Sequence, residues 1–203
     1  MHPKAASPYR VLSACVAYLI IYAVASFLDL WSTRIALTAA GVREGNLFVV
    51  DAQGNLTSRA LMITFVGGFI MLSCVVFAAV YADRMDDYWL AHPVASFRKI
   101  CLNPWSRTTL AFSPLQMLSL ALGFALLRVL AAINNMLIYF FGFGPIGGLI
   151  DLVAKRTSEA AAFVIVILLL FYLLAIAVSP QAAKVILSWR TSAIGELANS
   201  ADN

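Results

Sequence analysis

The sequence predicts an all-α, polytopic membrane protein: a four-transmembrane-helix bundle with interfacial amphipathic segments. Three observations support this. Of 203 residues, 62% are hydrophobic and only 12% charged, whereas soluble globular domains carry about 25% charged residues. Four apolar stretches, approximately 11–30, 61–82, 115–141 and 160–178, reach the ~20 residues needed to cross about 30 Å of hydrocarbon. The basic residues fall in ones and twos between these stretches, as topology signals do. The formal charge of +4 is therefore not gathered into a stripe. That argues against nucleic acid and for the lipid bilayer as partner.

Lys4 and Arg10, followed by an apolar run and Ala23-Val24-Ala25, imitate a secretory signal. The run is longer than an ordinary h-region of about 7–15 residues, so it is expected to stay as the first span. That helix is predicted to continue past the hydrocarbon through Ser32–Ala40 until Gly41 stops it. Residues 41–59 form the most soluble-looking loop, with turn chemistry at Gln53-Gly54-Asn55. In the second span Gly67, Gly68, Ala78, Ala79 and Ala82 suit close packing within the chain. Asp83, Asp86 and Asp87 then read as a solvated helix end rather than a metal-binding carboxylate set.

Trp89 to Trp105 mixes aromatic and aliphatic residues with Arg98 and Lys99 and is broken by His92-Pro93 and Asn103-Pro104, a pattern expected to lie along the membrane surface. The third span is overlong and carries Arg128, Asn134 and Asn135. It must tilt, extend past the interface or face a protected interior. After it, Gly142, Gly144, Pro145, Gly147 and Gly148 predict a re-entrant or interfacial turn, with Pro145 opening a short helix into Asp151. A spanning domain over 1–180 is expected to end at Ser179-Pro180, leaving 181–203 as a cytoplasmic amphipathic tail.

Placing both termini in the cytoplasm collects eight basic residues inside and five outside. The expected location is therefore the cell inner (plasma) membrane, multi-pass, with both termini cytoplasmic. Arg34 and Arg43, near the outer end of the first span, run against that count.

Cys15, Cys74 and Cys101 form no C-x-x-C pair and are odd in number, which argues against a disulfide framework. With only His2 and His92 besides, no zinc or haem ligand set can be assembled, and no cofactor is expected. A Gly-rich phosphate loop, H-E-x-x-H and G-x-S-x-G are all missing from the sequence.

The chemistry that remains is a polar cluster. Tyr18, Tyr22, Ser26, Asp29 and Thr33 recur at spacings of three or four, on one helical face. Asp29 lies 18 residues beyond Val11, about 27 Å along the helix, and Arg128 lies 13 beyond Leu115, about 20 Å. An unpaired arginine at such depth costs at least a few kcal/mol, so Arg128 is predicted to pair with Asp29, with Glu44 the second candidate. Asn135 shares a face with Arg128 at a spacing of seven.

Asp29-Leu30-Trp31-Ser32-Thr33, followed by Gly41-Val42-Arg43-Glu44-Gly45-Asn46, resembles the signature of a family of small prokaryotic multi-span membrane proteins of unknown function. In that pattern Asp-x-x-x-Thr ends the first helix and Gly-x-x-Glu-x-Asn-Pro follows; here Leu47 stands where the proline would be. Asn134-Asn135 is similar to a terminal asparagine in those proteins. The resemblance covers about residues 11–140. It implies that Asp29, Thr33, Glu44, Asn46 and Asn134 act as one unit, and it supplies no reaction.

These features favour a non-enzymatic integral membrane subunit, an accessory or assembly component of a larger complex with other membrane subunits as partners. An oligomeric transporter or channel using the Asp29–Arg128 region is the alternative, as is a lipid-processing enzyme with Asp29 or Glu44 as general base.

Overall fold

The computed structural model describes residues 7–38, 57–102 and 113–201, with backbone alone over 98–102 and 192–201. Glu44 and Asn46 lie outside the described residues. The protein is all-α, with no strand among the described residues. The helices are α1 (Pro8–Ala36), α2 (Ser58–Tyr81, continued by a 3-10 turn at Ala82–Arg84), α3 (Asp87–Ala91), α4 (Pro93–Leu102), α5 (Ser113–Phe141), α6 (Pro145–Ala154) and α7 (Glu159–Ala201). Pro8, Pro93 and Pro145 each stand at a helix start, where a missing N–H costs nothing.

Helices α1, α2, α5 and α7 are each long and apolar enough to cross a membrane, and their burial pattern explains why they need one. On α1, Leu12, Ile20 and Phe27 are 63%, 61% and 66% exposed, while Ala14, Tyr18, Tyr22, Ser26 and Ser32 are buried. Large apolar residues thus face outward and small or polar ones inward. In water each exposed side chain of that size would forgo about 1.5–3 kcal/mol; in hydrocarbon it forgoes almost nothing. The chain is a multi-pass membrane protein.

Two helix ends differ from expectation. Helix α1 stops at Ala36, because Thr38 bends back onto Ile35: its N–H and hydroxyl both donate to the Ile35 carbonyl, at 2.9 and 2.6 Å. Conversely, α7 does not end at Ser179-Pro180 but runs on to Ala201. Proline at 180 leaves the Ile176 carbonyl without its i+4 donor, and the Ser179 hydroxyl supplies one at 2.7 Å. A serine placed beside the proline therefore keeps the helix satisfied where water is scarce.

The chain divides into two compact units, and each long helix contributes residues to both. The first comprises residues 1–20, 70–123 and 175–203. There Arg10 grips Asp83 with both guanidinium nitrogens, at 3.0 and 2.8 Å, and Arg190 meets Asp87 at 2.6 Å. Asp86 caps α3 by accepting from the Tyr88 N–H at 2.9 Å. The three carboxylates at the end of α2 thus go to three separate partners. Helix α4, expected along the surface, is anchored by buried Ser96 and Phe97, and Gln116 of α5 donates to the Ser96 carbonyl at 3.0 Å. Ala78, Ala79 and Ala82 are fully buried, as expected for close helix contact.

The second unit comprises residues 21–69 and 124–174. The phenol of Tyr22 donates to the Thr64 carbonyl at 2.7 Å and its ring stacks on Phe124 at 5.9 Å. Gly67 and Gly68 lie against these two rings: a Cβ at Gly68 would stand 2.5 Å from Tyr22 Cε1, and one at Gly67 would stand 3.1 Å from the Phe124 ring. Gly68 against Tyr22 thereby fixes how closely α1 and α2 approach, and Gly67 against Phe124 does the same for α2 and α5.

Candidate functional site

The polar cluster belongs to the second unit and has two layers. In the deeper one, Arg128 Nη1 donates to Asp29 Oδ2 at 2.7 Å and Nη2 donates to Thr64 Oγ1 at 3.3 Å. Thr64 in turn donates to the Ala60 carbonyl at 2.9 Å. The guanidinium also lies 5.5 Å from the centre of the Phe124 ring, within cation–π reach. Three helices, α1, α2 and α5, therefore meet at one arginine. Its side chain is 15% exposed and that of Asp29 is 13% exposed, so the pair is mostly withdrawn from its surroundings.

Two turns beyond Arg128, the second layer joins α5 to α1. Asn135 Nδ2 donates to Thr33 Oγ1 at 2.8 Å and to Ser32 Oγ at 3.3 Å. Ser32 closes back onto the Asp29 carbonyl at 2.9 Å. The face read from spacing on the first span thus supplies both layers.

Asn134 serves elsewhere. Successive residues of a helix point about 100° apart, so Asn134 and Asn135 cannot share a target. The Asn134 carbonyl oxygen accepts from the Ile146 N–H at 2.9 Å, in the first turn of α6. Gly144, at the N-cap of that helix, has no side chain to offer, and Asn134 performs the capping from a neighbouring helix. A side chain at 144 would displace Ile138 and crowd the capping amide, since a Cβ there would lie 2.6 Å from Ile138 Cγ1 and 3.0 Å from Asn134 Oδ1. The preceding Gly142 turns the chain with φ at +67°, the conformation glycine adopts most readily. The short helix opened by Pro145 is present as expected. Asn134→Ala is expected to cost about 1–2 kcal/mol, the usual worth of a helix cap. Hydrogen exchange should show faster exchange confined to residues 145–149.

The structure thus brings together Asp29, Arg128, Thr33 and Asn135, and directs Asn134 to α6. It adds Thr64, Ser32, Tyr22 and Phe124. Thr64 was missed because a lone threonine in an apolar span is unremarkable; a partner search for Arg128 on α2 would have found it. The Arg10–Asp83 pair was also missed, although Arg10 opens the i, i+4 series Arg10, Ala14, Tyr18, Tyr22 that forms the buried face of α1.

Two grooves lie on this unit. One, of about 310 Å³, is apolar and bordered by Leu28, Trp31, Ile133, Leu137 and Phe141 among others. The next, of about 490 Å³, is bordered by Arg34, Thr38 and Tyr139 and shares Trp31, Met136 and Phe140 with the first. Neither Asp29 nor Arg128 borders either groove. Chemically the cluster holds helices together: every bond described above joins one polar group of the chain to another. Comparison with family models, curated proteins and solved structures found no match to this chain.

Proposed function

We propose that the chain is a non-enzymatic membrane subunit, an accessory or assembly component of a larger complex in the plasma (inner) membrane. The observation supporting this reading is that the polar groups of the Asp29–Arg128 cluster are spent on one another. Arg128, Asp29, Thr64, Asn135 and Thr33 each bond within the chain, the role of buried polar groups as glue between helices. Transport or lipid chemistry would require Asp29 or Arg128 to face a substrate, and neither borders either of the two grooves described above. The resemblance carried by Asp29 and Thr33 is compatible with this proposal, since both residues take part in the helix contacts.

Purification in mild detergent at native expression levels should recover the chain with a membrane partner in fixed stoichiometry. A monodisperse free chain would overturn the reading. The proposed orientation, with both termini cytoplasmic, rests on the eight-to-five distribution of basic residues. In a cysteine-free background, Thr157→Cys should react with an impermeant maleimide in intact cells and Thr191→Cys should not. The reverse labelling would invert the topology.

A further inference from the structure

The two grooves on the second unit form one continuous surface feature that changes character along its length. Helix α5 borders the apolar groove from Val129, and Tyr139 of the second groove stands ten residues or about 15 Å further along. That is close to one leaflet's half of the ~30 Å hydrocarbon. Its volume of about 310 Å³ falls at the lower end of small-molecule sites, which run about 300–1,000 Å³. Trp31, Met136 and Phe140 carry it into the second groove, where Arg34, Thr38 and Tyr139 appear. Trp and Tyr concentrate at the depth of lipid headgroups, so Trp31 and Tyr139 mark that depth here. Arg34 lies at the end of α1, three residues beyond Trp31.

Arg34 is exposed and has no ion pair or hydrogen bond among the described residues. It differs in this from Arg10, Arg128 and Arg190, each of which holds a carboxylate. It also stands among the residues that run against the basic-residue count for the first span, so topology gives it no evident purpose.

We infer that this feature binds one anionic phospholipid, with an acyl chain along Leu28, Ile133 and Leu137 and the phosphate on Arg34 and Tyr139. The apolar part matches hydrocarbon. At its headgroup end the groove offers the positive charge of Arg34 with the Tyr139 phenol beside it, a donor set that suits a phosphodiester. The site is independent of the subunit proposal: of the residues that fasten the helices through side-chain bonds only Ser32 borders the groove, and neither the acyl-chain nor the phosphate contacts proposed use it.

Native mass spectrometry of the full chain released from detergent tests this, using phosphatidylglycerol and phosphatidylcholine with identical acyl chains. One phosphatidylglycerol should be retained with about fivefold preference, the effect of a single basic group at a headgroup. Arg34→Gln should remove the preference while leaving the melting temperature unchanged, and Ile133→Trp should reduce retention of both lipids by obstructing the apolar groove. Arg59→Gln and Lys155→Gln, which alter basic residues away from the groove, should retain the wild-type preference. Equal retention of both lipids by the wild type would overturn the proposal. So would an unaltered preference in Arg34→Gln, an equal loss in the two control variants, or a lipid-free dimer with the groove filled by a second copy.

Discussion

Replacing Asp29 with leucine is expected to lower the stability of the protein by about 3 kcal/mol, although Asp29 is a small residue near the end of its helix. Removing one partner of a buried ion pair costs about 3–5 kcal/mol, because the other charge is left without compensation. An arginine facing the membrane interior costs about 2.5–3.5 kcal/mol on insertion scales. Arg128 and Asp29 keep 15% and 13% of their side-chain surface exposed, which places the effect at the lower end of the first range. Arg128 also retains its bond to Thr64 and its place near Phe124, so the protein should fold but melt early. Arg128→Met should cost a similar amount, since it leaves the Asp29 carboxylate unpaired. Thermal unfolding in mild detergent, followed by far-UV circular dichroism, gives both values.

The second large effect is expected at Gly123, where α5 meets α7. A Cβ there would lie 2.8 Å from the backbone nitrogen of Ala175 and 2.9 Å from its Cα. Backbone cannot step aside as a side-chain tip can, so the two helices must separate. Gly123→Ala should cost about 1–3 kcal/mol, the usual penalty of overpacking, even though alanine is the better helix former by about 1 kcal/mol. Gly123→Val should cost more. Gly147 in α6 provides the opposite sign: a Cβ there meets nothing within 4 Å, so Gly147→Ala should be neutral or stabilising by up to about 1 kcal/mol. The same unfolding assay separates the two cases.

The four spans and the Asp29–Arg128 pair were legible because each follows from one strong constraint. Apolar length decides what crosses the membrane, and helical rise places Asp29 and Arg128 at comparable depth, where the cost of a lone charge demands a partner. Asn135 followed from its spacing of seven from Arg128. What escaped was settled by groups with weaker preferences. Thr64 can satisfy its own hydroxyl on the Ala60 carbonyl, so nothing in α2 announces its additional bond to Arg128. Asn134 was grouped with the cluster, yet its helical direction differs from that of Asn135 and it caps α6. The continuation of α7 through Pro180 depended on Ser179, whose hydroxyl supplies a donor that proline cannot; the proline alone suggested an end.

Much of the surface of the second unit follows from the same economy. With polar groups directed toward each other, the outer faces carry Phe65, Phe69, Leu168 and Leu169, all exposed. Lipid can cover such faces, and so can another membrane subunit, which is why the purification experiment bears on function while the mutational experiments bear on architecture.

The central claim, that the intramembrane polar cluster fastens helices, is tested most directly by a double-mutant cycle on Asp29→Leu and Arg128→Met in bicelles. Two apolar residues of suitable volume can replace a buried ion pair at little cost. The double variant is therefore expected to recover to within about 1 kcal/mol of the native protein, with a coupling energy of at least about 2 kcal/mol. If the two single losses simply add, or if each single variant is as stable as the native protein, the pair does not hold the helices and the claim is contradicted.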